Sequence, residues 1–258
     1  MDIVTLISLI LGFAALIVAF ALEGGHMAAL LQPTAALIVF GGLLGAVGVS
    51  FPGSVLKNIP KIILKAFSAK KQDRNEILQT FMKLSEVARK EGLLSLEQQV
   101  EELEMNDFTK IGLRLVIDGA DEEVIAQALE TRIENMEYRH EKGIAVFEAA
   151  GGYAPTMGVI GTVMGLVHVL GDLSNPEELG GKIAVAFIAT LYGVGSANLM
   201  FLPIANKLKE MNADEVISYN MSLEGIQLLR CGSNPAFMRE QLKGYLEHEE
   251  SEKTEEGE

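Results

Sequence analysis

AAGGYAPTMGVIGTVMGLVHVLG, residues 149–171, holds 23 residues and no Asp, Glu, Lys or Arg. As a helix it would be roughly 34 Å long, enough to cross the hydrocarbon core of a bilayer. Its composition is not that of a helix meant only to face lipid. It carries six glycines, one proline, two threonines and one histidine. Gly161 and Gly165 form a GxxxG pair with Gly158 one turn earlier, and small residues at that spacing let a second helix backbone come close. Pro155 frees a backbone carbonyl inside the span, which is tolerated in lipid only where protein or water satisfies it again. The stretch reads as a helix buried among other helices, beside an aqueous path or simply kinked for packing.

Three more uncharged runs flank it. Ile3 to Leu22 has no charged residue. It lacks a basic leader and its apolar run is too long for a signal peptide, although Ala19-Phe20-Ala21 resembles a cleavage site. The second span lies within Met27 to Leu56, with Gly41, Gly45 and Gly48 as a small-residue stripe and Pro52 at its end. The fourth is Ile183 to Asn206, with Gly193, Gly195, Ser196 and Ala197 on a close-packing face and Pro203 near its end. The fold class is therefore all-α: a polytopic membrane protein with four transmembrane helices and a helical cytoplasmic domain. The organisation expected is 1–56 for helices one and two and 57–143 for the cytoplasmic domain. Helices three and four then occupy 144–206, and 207–258 is a cytoplasmic helix with an acidic tail.

Charge gives the orientation. The segment 52–143 holds 14 of the 21 basic residues and the tail after Pro203 holds six, whereas the loops 23–26 and 172–182 hold only Lys182. The positive-inside rule makes the basic side cytoplasmic, with both termini inside. The net charge of −14 argues against nucleic acid as a partner. The single Cys231 excludes an intrachain disulfide and reads as a small filler residue; no spacing suggests a metal site.

The inner segment should be helical. Ile77, Leu78, Phe81, Leu84, Val87 and Ala88 repeat at helical spacing until Gly92. Ser95 with Gln98 resembles a capping box, and Asp121 is placed to cap the helix that runs on into span three. This layer looks too small and charged to bury much alone, and is expected to pack on the helix 205–230 and on neighbouring subunits. The last twelve residues contain seven Glu and read as a solvated tail.

No nucleotide-binding loop or catalytic triad pattern is present, so the chain does not read as an enzyme. No span contains an Asp or Glu. An ion path through a bilayer normally needs an ionisable or oxygen-rich site at depth. This chain offers Thr156, Thr162, Thr190, Tyr153, Tyr192, Ser196 and His168 there, so a carboxylate would have to come from another chain. Each threonine has an ordinary alternative role, bonding back to its own helix. For His168 that role is a packed or interface position near the outer end. Arg89, Lys90, Glu91 and Glu97 bracket the Gly92 turn as an ordinary solvated face or as a contact surface.

Two motif sets carry a resemblance. One is Ala88-Arg89-Lys90-Glu91-Gly92-Leu93-Leu94-Ser95-Leu96-Glu97. The other runs from Ala154-Pro155-Thr156-Met157-Gly158 into Gly161-Thr162-Val163-Met164-Gly165-Leu166, then Ala189-Thr190-Leu191-Tyr192-Gly193 and Pro203-Ile204-Ala205-Asn206-Lys207-Leu208. Over nearly its whole length the chain resembles the A subunit of the bacterial flagellar motor stator, the MotA/PomA/MotP family.

The resemblance implies an inner-membrane subunit, five copies of which surround two MotB-type B subunits that supply the ion-binding Asp. It implies rotor contact with the protein FliG through Arg89, Glu97, Lys90 and Glu91, and coupling of ion flow to torque through Pro155 and Pro203. Thr162, Thr190 and Tyr192 would lie along the ion path, and Gly158, Gly161, Gly165 and Gly193 would pack helices. No cofactor is implied; the transported ion is H+ or Na+. Thr162 is familiar from sodium-type members, while Ala189-Thr190 replaces the two threonines such members often show. The alternative is an ExbB/TolQ-like energy-coupling channel subunit. The additional amino-terminal span and the Arg89–Glu97 segment favour the stator.

Overall fold

A computed structural model describes residues 2–68, 73–102, 105–171 and 176–246. Among the described residues there are helices and no strand. The chain divides into two compact units. One comprises Met1–Ala69 with His140–Lys209, the other Lys70–Arg139 with Glu210–Glu258.

The first unit holds the apolar helices. Helix α1 (Ile3–Leu22) is opened by Asp2, whose carboxylate accepts from the Thr5 amide at 3.3 Å and the Thr5 hydroxyl at 2.8 Å. Asp2 also pairs with Lys207. That ammonium, with the Thr5 donors, holds the Asp2 carboxyl well below the usual carboxylate range. No residue of α1 is buried within the chain. Such a face suits lipid or another subunit.

A 3₁₀ turn (Met27–Leu30) leads to α2 (Pro33–Ala36), a π-helical turn (Leu37–Gly41) and α3 (Gly42–Ser50). Together they form the second span, with Val39, Leu43 and Val47 turned inward every four residues. Pro52 stands between α3 and α4 (Gly53–Leu56), where the chain turns, and α5 (Ile59–Ala66) follows. The expected stripe Gly41, Gly45, Gly48 packs against no other element among the described residues. A Cβ on Gly45 or Gly48 would meet nothing within 4 Å.

The second unit begins with α6 (Arg74–Glu91), capped by Asp73, which accepts from the Asn75 amide at 2.9 Å. Gly92, at φ +87°, ends it in a conformation that a side chain would strain. A 3₁₀ turn (Leu93–Ser95), α7 (Leu96–Glu102) and α8 (Asp107–Ile117) follow. Helix α9 (Glu122–Leu170) starts directly after Asp121 and is 49 residues long without a break. Its first part belongs to this unit and its remainder to the first. Helix α10 (Pro176–Ser196), a π turn (Ala197–Phe201) and α11 (Leu202–Arg230) form another continuous run. Helix α12 (Pro235–Lys243) was not anticipated from the sequence; Asn234 caps it and Pro235 takes its first position.

The layer 57–143 buries its apolar residues together with α11 and α12. Phe81, Leu84, Leu96, Leu113, Ile125, Leu129, Ile226 and Met238 lie in one continuous core. The sequence hid it because its members are drawn from six helices. Gly225 admits the Phe81 ring, where a Cβ would sit at 2.8 Å. Arg74, 6% exposed, is held by Asp214 at 2.8 Å and the Tyr245 carbonyl at 3.2 Å. Tyr245 in turn donates to Glu224 at 2.7 Å, and burial with that acceptor pushes its phenol up to about 12. The packing on α11 is as expected. Cys231 is exposed rather than a filler. The acidic run 247–258 and the loop 172–175 lie outside the described residues.

Candidate functional site: a threonine pair and a charged turn

In the first unit α9 and α10 meet along small residues. A Cβ on Gly193 would lie 2.4 Å from the Ala154 carbonyl oxygen and 3.0 Å from the Gly158 Cα. On Gly161 it would meet the Ala189 methyl at 2.6 Å, and on Gly165 the Ala186 methyl at 2.6 Å. The glycines singled out by sequence thus form one seam, at the backbone separation that only glycine permits. Gly195, expected on the same face, meets nothing within 4 Å.

This close approach places two hydroxyls together. Thr162 Oγ1 of α9 lies 2.5 Å from Thr190 Oγ1 of α10. Thr162 Oγ1 is also 3.1 Å from the Gly158 carbonyl and 3.0 Å from the Ala186 carbonyl, and Thr190 Oγ1 is 3.5 Å from Gly158 O. Back-bonding within a helix is therefore only part of what Thr162 does. Four oxygens converge with two protons to share, in a span that carries no charge. Such a group can ligate a small cation or pass a proton along, but holds no fixed negative charge of its own.

Tyr192 is not brought to this pair. Its hydroxyl donates to the Leu30 carbonyl and accepts from the Gln32 amide at 3.1 Å, with its ring beside Phe40. It ties α10 to the turn before α2. Tyr153 meets Ser50 at 3.1 Å, Thr156 donates to the Tyr153 carbonyl at 2.7 Å, and Ser196 donates to the Gly193 carbonyl at 3.2 Å. His168 is exposed rather than packed within the chain.

Each of the two prolines lies near the contact between Gly151 and Leu202, four residues after the one and one residue after the other. Pro155 lies inside α9 without breaking it and removes the amide that would have bonded the Gly151 carbonyl. A Cβ on Gly151 would sit 2.4 Å from Leu202 Cδ2, and Leu202 precedes Pro203. The π turn Ala197–Phe201 ends just before Pro203 and widens the helix where its ring needs room.

The charged turn sits in the second unit. Arg89, Lys90, Glu91 and Glu97 are all exposed. None is paired with a described residue, nor with one another. Arg89 and Lys90 lie in the last turn of α6, and Glu97 in the first turn of α7, where each suits the helix dipole. Ser95 donates to the Gly92 carbonyl at 2.6 Å, closing the turn between them.

Sequence profiles match in two places: that of the MotA/TolQ/ExbB proton channel family at residues 100–221, and that of the motility protein A N-terminal family at residues 6–92. Motility protein A of Bacillus subtilis is 38% identical over 247 residues, covering 95% of this chain and 91% of that one. A second B. subtilis protein, YtxD, is 44% identical over 223 residues, covering 86% and 82%. The solved flagellar MotAB stator complex from B. subtilis contains a chain that superposes with a TM-score of 0.91 at 37% identity, covering 97% of this chain and 98% of that one. By sequence along almost all its length and by fold, the chain belongs to the MotA/TolQ/ExbB proton channel family, in its motility protein A branch.

Proposed function

We propose that this chain is the A subunit of a flagellar stator in the bacterial inner membrane. There it forms, with a MotB-type partner, a path for H+ or Na+ and turns the ion flow into torque on the rotor. The observation that carries this is the Thr162–Thr190 oxygen cluster in a set of spans that contain no carboxylate. Oxygens without a fixed charge can complete an ion site but not found one. The missing acid is an Asp on the B subunit's membrane helix. Helix α1, with no residue buried within the chain, and the open Gly45 and Gly48 face are surfaces for lipid and for neighbouring copies, five around two B chains. Both termini and the second unit lie in the cytoplasm, following the distribution of basic residues.

Torque is delivered at the unpaired cluster Arg89, Lys90, Glu91 and Glu97, which meets charged residues of FliG. One charge crossing about 100 mV releases about 2.3 kcal/mol, and an exposed ion pair is worth about 0–1 kcal/mol. One transit therefore suffices to release one such contact. Pro155 and Pro203 relay motion between the oxygen cluster and the rest of the subunit. The test is flux into proteoliposomes. The chain with its B partner should conduct and the chain alone should not; conduction by the chain alone would overturn the reading. The extra N-terminal region matched by the motility protein A family favours this over an ExbB-like role.

A further inference from the structure

Asp2 makes more bonds than a helix cap needs. Its carboxylate accepts from Thr5 and opens α1, but it also pairs with Lys207, and its own amide donates to the Phe67 carbonyl at 2.8 Å. Phe67 directly follows α5, at the end where a helix leaves carbonyls without an internal partner. Lys207 donates to the Thr5 hydroxyl as well. Asp2 therefore joins the start of α1 to the end of α5 and the first part of α11. Those two segments are the ones by which the chain leaves the first unit. The unit boundaries fall after Ala69 and after Lys209, two residues beyond Phe67 and Lys207. The remaining connection, α9, is braced to the same place: Glu148 pairs with Lys209 at 2.5 Å, and Phe147 packs with Ala66 and Leu208.

Helix α1 also touches the other side of Pro203. A Cβ on Gly12 would lie 3.2 Å from Leu199 Cδ2, in the π turn four residues before Pro203, and Lys207 lies four residues after it. A proline removes one bond from the helix ladder and leaves a natural place to bend. Contacts one turn to either side, made by a single neighbouring helix, resist that bend. No residue of α1 is buried within the chain, so its grip rests on few contacts, and the charged one at Asp2 is the strongest.

We infer that Asp2 is a positioning residue for the transfer of motion out of the membrane. By bonding Lys207 and Phe67 it makes α1 a splint across Pro203 and ties together the two segments that lead into the second unit. This rests on the motor function proposed above and adds to it a residue with no part in the ion path or the rotor contact. Without the clasp, movement started at the oxygen cluster is taken up as bending at Pro203 and is not passed on.

The experiment compares two quantities for the complex of this chain with its B subunit. One is ion flux per complex in proteoliposomes. The other is torque per complex, read from the speed steps as single complexes join the motor of a tethered cell, so that a smaller number of assembled complexes does not imitate the effect. Asp2→Asn keeps an acceptor for the Thr5 amide and loses the ion pair. It and Lys207→Met should leave flux near wild type and lower torque per complex to about half or less, while Lys207→Arg, which keeps the charge, should match wild type. Flux and torque falling together in both variants would assign Asp2 to holding the membrane spans, and unchanged torque in both would leave it a helix cap; either result overturns the clasp. A wild-type complex that conducts without producing torque would overturn the motor function itself, and the clasp with it.

Discussion

Gly193 of α10 faces Gly158 of α9 so closely that a methyl on Gly193 would lie 2.4 Å from the Ala154 carbonyl oxygen. The obstacle is backbone, which cannot swing aside as a side chain can. Gly193→Ala should therefore destabilise the subunit by about 1–3 kcal/mol or more. It should also part Thr162 from Thr190, so ion flux should fall with stability. Gly48→Ala, with open space around it in the chain, should leave the subunit's own fold intact. Thermal melting of the purified complexes distinguishes them; equal melting temperatures would remove the seam from the account.

Thr162→Ala takes away one of four clustered oxygens and the 3.0 Å bond to the Ala186 carbonyl. If the cluster ligates Na+, the sodium concentration needed for half-maximal flux should rise about tenfold, the worth of one good ligand bond. If the cluster relays protons, flux should fall at all sodium concentrations alike. Flux unchanged in both respects would exclude the pair from the path.

Charge reversal at the turn separates conduction from torque. Arg89→Glu with Glu97→Lys should leave membrane assembly and ion flux unchanged and cut swimming speed to about a tenth or less, since like charges then face the rotor. Neither residue has a bonding partner to lose, so the cost to folding is confined to the reversed helix-end charges, about 0.3–1 kcal/mol each. Retained swimming would take them out of torque generation.

Asp2 supplies a pH prediction. Its folded carboxyl is held low by Lys207 and Thr5. A depressed folded pKa means that its contribution is complete above the unfolded value of about 4, and is lost as pH falls below that toward the folded value. Asp2→Asn should therefore lower melting temperature equally at pH 6 and pH 8, with the gap to wild type closing below about pH 4. A gap that changed between pH 6 and 8 would assign the linkage to another group.

The four apolar spans, their order and the glycine seam were legible because each is a local pattern: uncharged length, or small residues one turn apart. The turn at Gly92 and the charges around it were legible for the same reason, since a helical period stops at a glycine. Cys231 is exposed where a filler was expected, because a small residue looks alike whether it packs or stands open. The resemblance puts Tyr192 along the ion path with the threonines, yet its hydroxyl reaches the Leu30 carbonyl, 162 residues away in the chain.

By itself, then, the sequence determined that the chain spans a membrane four times and lacks an acid within it, because charge and hydropathy act residue by residue. Only the tertiary structure decided that Thr162 meets Thr190, that the second unit owns a core, and that Asp2 bonds both Phe67 and Lys207. Each of these depends on how closely two distant backbones approach, a distance set by the sum of packing contacts along both helices and written in no single segment.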